Sequence, residues 1–355
     1  MATRTDVRSL YRRQGYAQVP FQFILCPHLE TVFRQETGST VGYDEHYGFA
    51  LRSRWHHALP KPAFEPARWF PGESFRPGTI FDEWGIGHEP GSDAAHHMTR
   101  LLHPLASATG IADLDAYPFP DWSDQPDAAL VAEVRALHER GVAAEGPLHC
   151  TLWETAWYMR GMDRLVTDFA DDPDFAEALL DRITERSMRR AQAYARAGMD
   201  VICLGDDIGT QSRLMMGPGT YRTWLKPRMR RIVDAAKAIA PDIIIHYHSC
   251  GHVTGLIPDL IEAGVEVLNP VQPESMDIED LHRRFGRDLC FNGTLGTQTL
   301  MPFGTPEQVR DETWRILRLA GPQGGILPCP THMLEPEVPW KNVMAYVEAC
   351  RTWGG

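Results

Sequence analysis

A chain of 355 residues and 40.0 kDa fits one large barrel as easily as two ordinary domains, and 43% hydrophobic with 23% charged residues excludes a disordered or collagen-like chain. Thirty-five Lys+Arg against 47 Asp+Glu leave a formal net charge of −12, a field that repels phosphate backbones and argues against a nucleic-acid partner. No run of about 18 apolar residues is present to span a bilayer, and residues 1–20 lack the apolar middle of a secretory signal; the expectation is a cytoplasmic protein without membrane contact. Seven scattered cysteines fall short of a disulfide framework and read as reduced thiols, some of them candidate metal ligands.

Along the chain the texture changes near Gly146. Residues 1–145 form a loop-rich N-terminal portion in which prolines break up any long helix (PFQFILCPH, RWFPGESFRPGTIFDEWG, YPFPDWSDQPD). Strands are expected there near Val19–Leu25 and Thr79–Trp84. From Pro147 onward short apolar runs alternate with stretches of 3.6 periodicity. Strands are predicted at 147–153, 200–205, 242–250, 265–270, 288–293 and 324–329, and helices at 172–198, 219–240, 253–264, 275–286 and 305–321. Eight strands alternating with helices call for parallel pairing and right-handed crossovers, hence a single (β/α)8 barrel domain over 1–355 with an elaborated N-terminal region. An open doubly wound sheet is the alternative, weakened because no Gly-rich phosphate fingerprint follows any strand.

Barrel sites lie where the strands run out at their C-terminal ends. The run IIIHYHSCG begins apolar and turns polar at its exit, and alternation puts His246, His248 and Cys250 on one face. His248-Ser249-Cys250 is an H-x-C pair offering a nitrogen and a sulfur to one ion, while Cys329, held between Pro328 and Pro330, ends another predicted strand. Each cysteine alone reads equally as a small buried hydrophobe. Together, one imidazole and two thiolates would neutralise a zinc ion and favour soft or polarised donors.

The segment from Leu204 to Trp340 resembles the uroporphyrinogen decarboxylase superfamily, and within it the cobalamin-linked methyltransferases. GDDIGTQ (205–211), HSCG (248–251), IPDLIEAGVEVLNPVQ (257–272), FNGTLGTQ (291–298), GGILPCPTH (324–332) and EPEVPWKNVMAYVEA (335–349) carry the likeness, with an upstream echo in FDEWG, HPLA, YPFPD and LWETAWYMRG. The resemblance implies a TIM barrel, zinc held by His248, Cys250 and Cys329, and a corrinoid (cobalamin) presented by a partner protein docked at the mouth. It is compatible with a homodimer. The R-x-A-G-R motif with which the decarboxylases grip tetrapyrrole carboxylates has no counterpart in RSLYRRQGY (8–16), which argues against tetrapyrrole decarboxylation.

The expected activity is therefore methyl transfer or demethylation of a small-molecule donor, a methoxylated aromatic being favoured by the aromatic residues of 43–84. Glu154 reads as a fourth zinc ligand, a proton donor or a helix N-terminal charge. Asp206 and Asp207 should have their pKa values pushed apart, one serving as an acid and the other capping or pairing. His332 is a catalytic candidate, and Asp82, Gln211, His246 and Gln272 are candidate substrate contacts. The trio His96, His97 and His103 reads as a solvated helix face sooner than a second metal site. RSMRRAQAYAR (186–196) reads as an exposed basic surface. Two other readings remain: a metal-independent decarboxylase of a carboxylated substrate using Asp82, Asp207 and His332, and a non-catalytic tetrapyrrole-binding barrel.

Overall fold

Strands rich in Val, Ile and Leu with no polar alternation bury both faces, and that is where the second half of this chain places them. The computed structural model describes residues 1–91 and 99–354. Its main sheet has seven parallel strands: β1 (Leu51–Ser53), β2 (Ala143–His149), β3 (Val201–Gly205), β4 (Ile244–His248), β5 (Val267–Asn269), β6 (Cys290–Asn292) and β7 (Ile326–Leu327). They pair in sequence order, as the strands of a TIM barrel do. All six segments expected as strands from Pro147 onward carry one, although β2 starts at Ala143 and stops at His149, leaving 150–153 to the turn beyond.

The two upstream strands differ from expectation. Ile80–Phe81 is paired antiparallel with Gly87–Pro90, which pairs with Thr99–Leu102, so the Thr79–Trp84 segment belongs to a separate three-stranded sheet. The Val19–Leu25 segment makes one parallel bridge, Leu25 to Leu334, and its Phe21 and Phe23 pack with Phe49 and Tyr346 instead of extending a ladder. The first barrel strand is instead Leu51–Ser53, a three-residue element whose sequence, LRS, carries no apolar run.

Around the sheet lie α1 (Arg4–Tyr11), α2 (Trp153–Arg160), α3 (Pro173–Ala197), α4 (Lys226–Lys237), α5 (Ile257–Glu262), α6 (Ile278–Phe285), α7 (Pro306–Ala320) and α8 (Trp340–Thr352). The helix expected at 219–240 is interrupted by a π-helical turn, Tyr221–Leu225. Pro227, at the second position of α4, lacks the N–H that would continue the α ladder.

Side-chain alternation sorts the strands into two cores. Ala143, Val201, Ile244, Val267 and Cys290 point into the barrel and pack with Val7, Leu10 and Tyr11 of α1, which closes the floor. Ile202, Leu204, Ile245, Tyr247, Leu268 and Phe291 point outward into the layer of helices. One step above the floor the inward positions turn polar, with Glu145, Cys203, His246, Asn269 and Asn292. The floor itself is tied by Asp200, fully buried, which meets Arg4 at 2.9 Å, Arg8 at 2.7 Å, His138 at 3.0 Å and the Ala144 N–H at 3.1 Å.

Candidate active site

His248 is the last residue of β4, paired between Gly205 of β3 and Asn269 of β5. Its Nδ1 lies 2.7 Å from Asn269 Oδ1, an oxygen that can only accept, so Nδ1 carries the proton and Nε2 presents a lone pair. Asn269 is oriented in turn, because its Nδ2 donates to the Asn292 carbonyl and to Asn292 Oδ1. Cys250 Sγ stands 3.6 Å from His248 Nε2. Asp207, on the loop after β3, accepts the Cys250 N–H at 2.7 Å and brings an oxygen to 3.8 Å from Nε2. The ligating atoms of Asp207, His248 and Cys250 lie within 4.8 Å of one another, a geometry able to hold a metal ion.

The turn that places Cys250 depends on Gly251, whose φ of +81° strains any side chain and whose Cβ would come 2.5 Å from the Thr210 carbonyl oxygen. Gln272 accepts the Gly251 N–H at 2.7 Å and so holds this turn. Its amide oxygen is engaged by backbone, not held free toward a substrate.

Cys329 is not among the residues whose ligating atoms meet there. Its thiol donates to Asn292 Oδ1 at 2.7 Å, while Asn292 Nδ2 donates to the Tyr11 hydroxyl at 2.6 Å. A continuous chain, His248–Asn269–Asn292–Cys329, therefore links the H-x-C pair to the distant cysteine through two amides. Burial pushes both thiols up to about 12, Cys250 with added repulsion from Asp207 and Glu154.

Three carboxyls crowd the mouth. Asp206 is buried and accepts from the N–H groups of Leu152 and Glu154, capping α2 from the neighbouring strand exit. Burial, reinforced by Glu154, moves it up to about 8. Of the two neighbours, Asp206 is thus the cap and Asp207 faces the metal-side pair. Burial, then the charge on Asp207, raises Glu154 to about 7 against the opposing hydrogen bond from the Tyr158 hydroxyl at 2.8 Å. Burial also keeps His248 below its usual range, and His149 falls to about 4 through burial and the neighbouring His248. Cys150, beside this acid group, takes a positive φ of 52°, a strained backbone at the mouth.

The remaining candidates are dispersed. His332 is exposed beyond Cys329, and its charge acts on His248. His246 points into the lumen below the mouth, 3.6 Å from Glu145. Gln211 is exposed and tied to the Glu274 carbonyl and to Gln298. Asp82 is engaged on its own hairpin, accepting from the N–H groups of Trp84 and Ile86 and meeting His88 at 3.1 Å. His96 and His97 lie outside the described residues, and His103 bonds the Tyr158 carbonyl. The basic run is not a free surface: Arg186 reaches the Pro120 carbonyl, Arg189 pairs with Asp121, Arg196 pairs with Asp124, and Arg190 is buried over Trp122.

Asn269, Asn292 and Tyr158 were not expected from sequence. The two asparagines were legible in principle, because each closes a short apolar strand at the register of His248, where an amide has no core role.

Comparison with known proteins follows the same lines. A family model described as uroporphyrinogen decarboxylase (URO-D) matches residues 108–353. A methylated-thiol–coenzyme M methyltransferase of Methanosarcina mazei is 26% identical over 205 residues, 58% of this chain and 52% of that protein. A methylcobamide:CoM methyltransferase of Methanosarcina barkeri is 27% identical over 178 residues, 50% of this chain and 48% of that one. A uroporphyrinogen decarboxylase of Gloeobacter violaceus is 26% identical over 183 residues, 51% and 49% of the two chains. The chain thus spans about half the length of the curated relatives it matches, and those relatives are enzymes. A solved structure titled methyltransferase from Methanosarcina mazei superposes with a TM-score of 0.66 at 18% identity over 99% of this chain and 98% of that one, which shows the fold.

Proposed function

The chain belongs to the uroporphyrinogen decarboxylase family, and from that premise we propose a zinc-dependent methyltransferase or demethylase. It moves a methyl group between a small donor and a corrinoid carried by a partner protein. The observation that carries this reading is the convergence of His248 Nε2, Cys250 Sγ and Asp207 Oδ1, with the far side of the imidazole pinned by Asn269. A histidine oriented through its second nitrogen beside a thiol is what a zinc site requires, and a structural hydrogen bond to Nε2 would not need it. Two relatives named for methyl transfer, one of them from a methylcobamide, support the reading.

In this reading His248, Cys250 and Cys329 hold the ion. Cys329 is linked to the cluster through Asn292, and Asp207 supplies an oxygen beside the pair. Zinc bound there would supply Lewis acidity, lowering a thiol's pKa or polarising the atom that gives up the methyl group. The chain's own residues do the rest. Asn269 fixes the imidazole, Asp207 holds the Cys250 backbone, and Glu154 retains a proton up to about neutral pH, so it can deliver one to a departing oxygen or nitrogen. A methoxylated aromatic is the donor we favour, on the aromatic residues of the N-terminal portion; the cavity of about 430 Å³ lined by Phe23, Phe33, Tyr43 and Phe49 touches none of the mouth residues and carries no part of that choice.

The test is elemental analysis of the purified chain, with stoichiometric zinc expected and its loss in Cys250→Ala and Cys329→Ala. Incubation with reduced cobalamin and a panel of methoxy, methylamino and methylthio donors should yield methylcobalamin. Zinc-free active protein would instead favour the second reading, a metal-independent decarboxylase using Asp207 and His332 but not Asp82, which is engaged on its own hairpin; the decarboxylase relatives support it.

A further inference from the structure

Below the mouth, the inward side chains of three adjacent strands converge a second time. Glu145 of β2, Cys203 of β3 and His246 of β4 bring a carboxylate oxygen, a sulfur and a ring nitrogen within 4.8 Å of one another. Register explains the meeting: Cys203 pairs directly with His246, and Glu145 projects inward from the neighbouring strand. His246 is only 4% exposed, yet neither of its ring nitrogens has a hydrogen-bond partner among the described residues. Its Nδ1 stands 3.6 Å from Glu145 Oε2, beyond hydrogen-bond distance. Native interiors rarely leave both nitrogens of a buried imidazole unmet, so this side chain points to a missing partner. Glu145 keeps one oxygen for it, since Ser53 Oγ already serves Oε1 at 3.1 Å.

We propose that Glu145, Cys203 and His246 form a second site, inside the barrel lumen, for a thiophilic divalent cation, with zinc the ion the donor set suits. One carboxylate, one thiolate and one neutral imidazole carry two negative charges, which match the ion. Binding releases the Cys203 thiol proton to solvent, and no other bond changes. His149 is placed to complete the set, with Nδ1 3.9 Å from Cys203 Sγ. It also stands between the two centres, its ring 6.2 Å from that of His248. An entry path exists, because Glu145 and Ser53 line the same cavity of about 430 Å³. The site is separate from the mouth cluster in every ligand, and it does not depend on which reaction the mouth performs.

The full-length chain, loaded with Zn²⁺ or Co²⁺ under reducing conditions, tests this by metal content and cobalt absorption. Two ions per chain are expected. The His248→Ala/Cys250→Ala variant should retain one, with a thiolate-to-cobalt charge-transfer band that disappears when Cys203→Ser is added. In otherwise wild-type protein, Cys203→Ser and the isosteric Glu145→Gln should each lower the content from two to one, and their unchanged far-ultraviolet circular dichroism would show that the barrel is intact. One ion that is lost with Cys250 and indifferent to Cys203→Ser and Glu145→Gln overturns the inference and leaves the mouth reading standing. One ion lost with Cys203→Ser and indifferent to the mouth variant upholds the inference and sinks the mouth reading.

Discussion

At the floor of the barrel Asp200 is fully buried and is met on all sides by Arg4, Arg8, His138 and the Ala144 N–H. At the mouth, burial and mutual repulsion raise the carboxyls of Glu154 and Asp206, while Asp207 lies 3.8 Å from the uncharged imidazole of His248 and close to the Cys250 thiol. The floor uses buried charge to fasten an N-terminal helix onto the sheet. The mouth accumulates like charge, at a cost to the fold, where a cation or a proton would relieve it. Stability and chemistry therefore sit at opposite ends of the same strands, an arrangement the barrel permits because the βα-loops that carry chemistry all follow the C-terminal ends of the strands.

Removing the floor carboxylate should show the largest effect. Asp200→Ala leaves the Ala144 N–H buried without its partner and releases two guanidinium groups that are about a third exposed, a loss of about 1–3 kcal/mol. Urea unfolding should register that loss while the metal content of the folded fraction is unchanged. A loss below about 1 kcal/mol would mean that the apolar plug of Val7, Leu10 and Tyr11 alone seats α1, and the contrast between the ends would weaken.

At the mouth the corresponding change acts on affinity. Asn269→Ala frees the far nitrogen of His248 and also uncouples Asn292, so zinc affinity measured by chelator competition should fall about 10–100-fold, as for other residues that orient a ligand. Urea unfolding of the metal-free protein should move far less than in Asp200→Ala. Unaltered zinc affinity would show that the Asn269 bond merely packs the strand end.

The contrast also marks what the sequence disclosed. The second half was legible because apolar β-strand runs and amphipathic helices alternate there without interruption, and H-x-C at a polar strand exit announced the His248–Cys250 pair. Leu51–Ser53 was not legible: three residues with an arginine in the centre become a strand only because β2 offers a ladder. The Thr79–Trp84 strand was visible, but its partner was not, since pairing is a tertiary property. Asp206 and Asp207 are adjacent and chemically identical. Only the fold makes one a cap for α2 and turns the other toward Cys250. Cys329 illustrates the remaining gap, since strand order brings it toward the mouth while one amide decides what its thiol touches.

The smallest effect is the most specific to the mouth. Glu154, raised to about 7 from an ordinary 4.5, binds its proton more tightly in the fold than out of it. Its contribution to stability is therefore complete below pH 4.5 and is lost as pH rises through 7, and a proton-donor role gives kcat/KM a descending limb near pH 7. The Tyr158 hydroxyl donates to Oε1 and favours the carboxylate, so Tyr158→Phe should move that limb upward. A hydrogen bond of about 0.5–1.5 kcal/mol, at 1.36 kcal/mol per pH unit, sets the displacement at about half a unit to one unit. Glu154→Gln should abolish the limb and, above pH 7, raise the unfolding midpoint, because the fold no longer has to shelter that charge. A limb that stays in place in both variants would assign it to another group and remove Glu154 from the proton transfer, leaving the crowding at the mouth as a matter of metal binding alone.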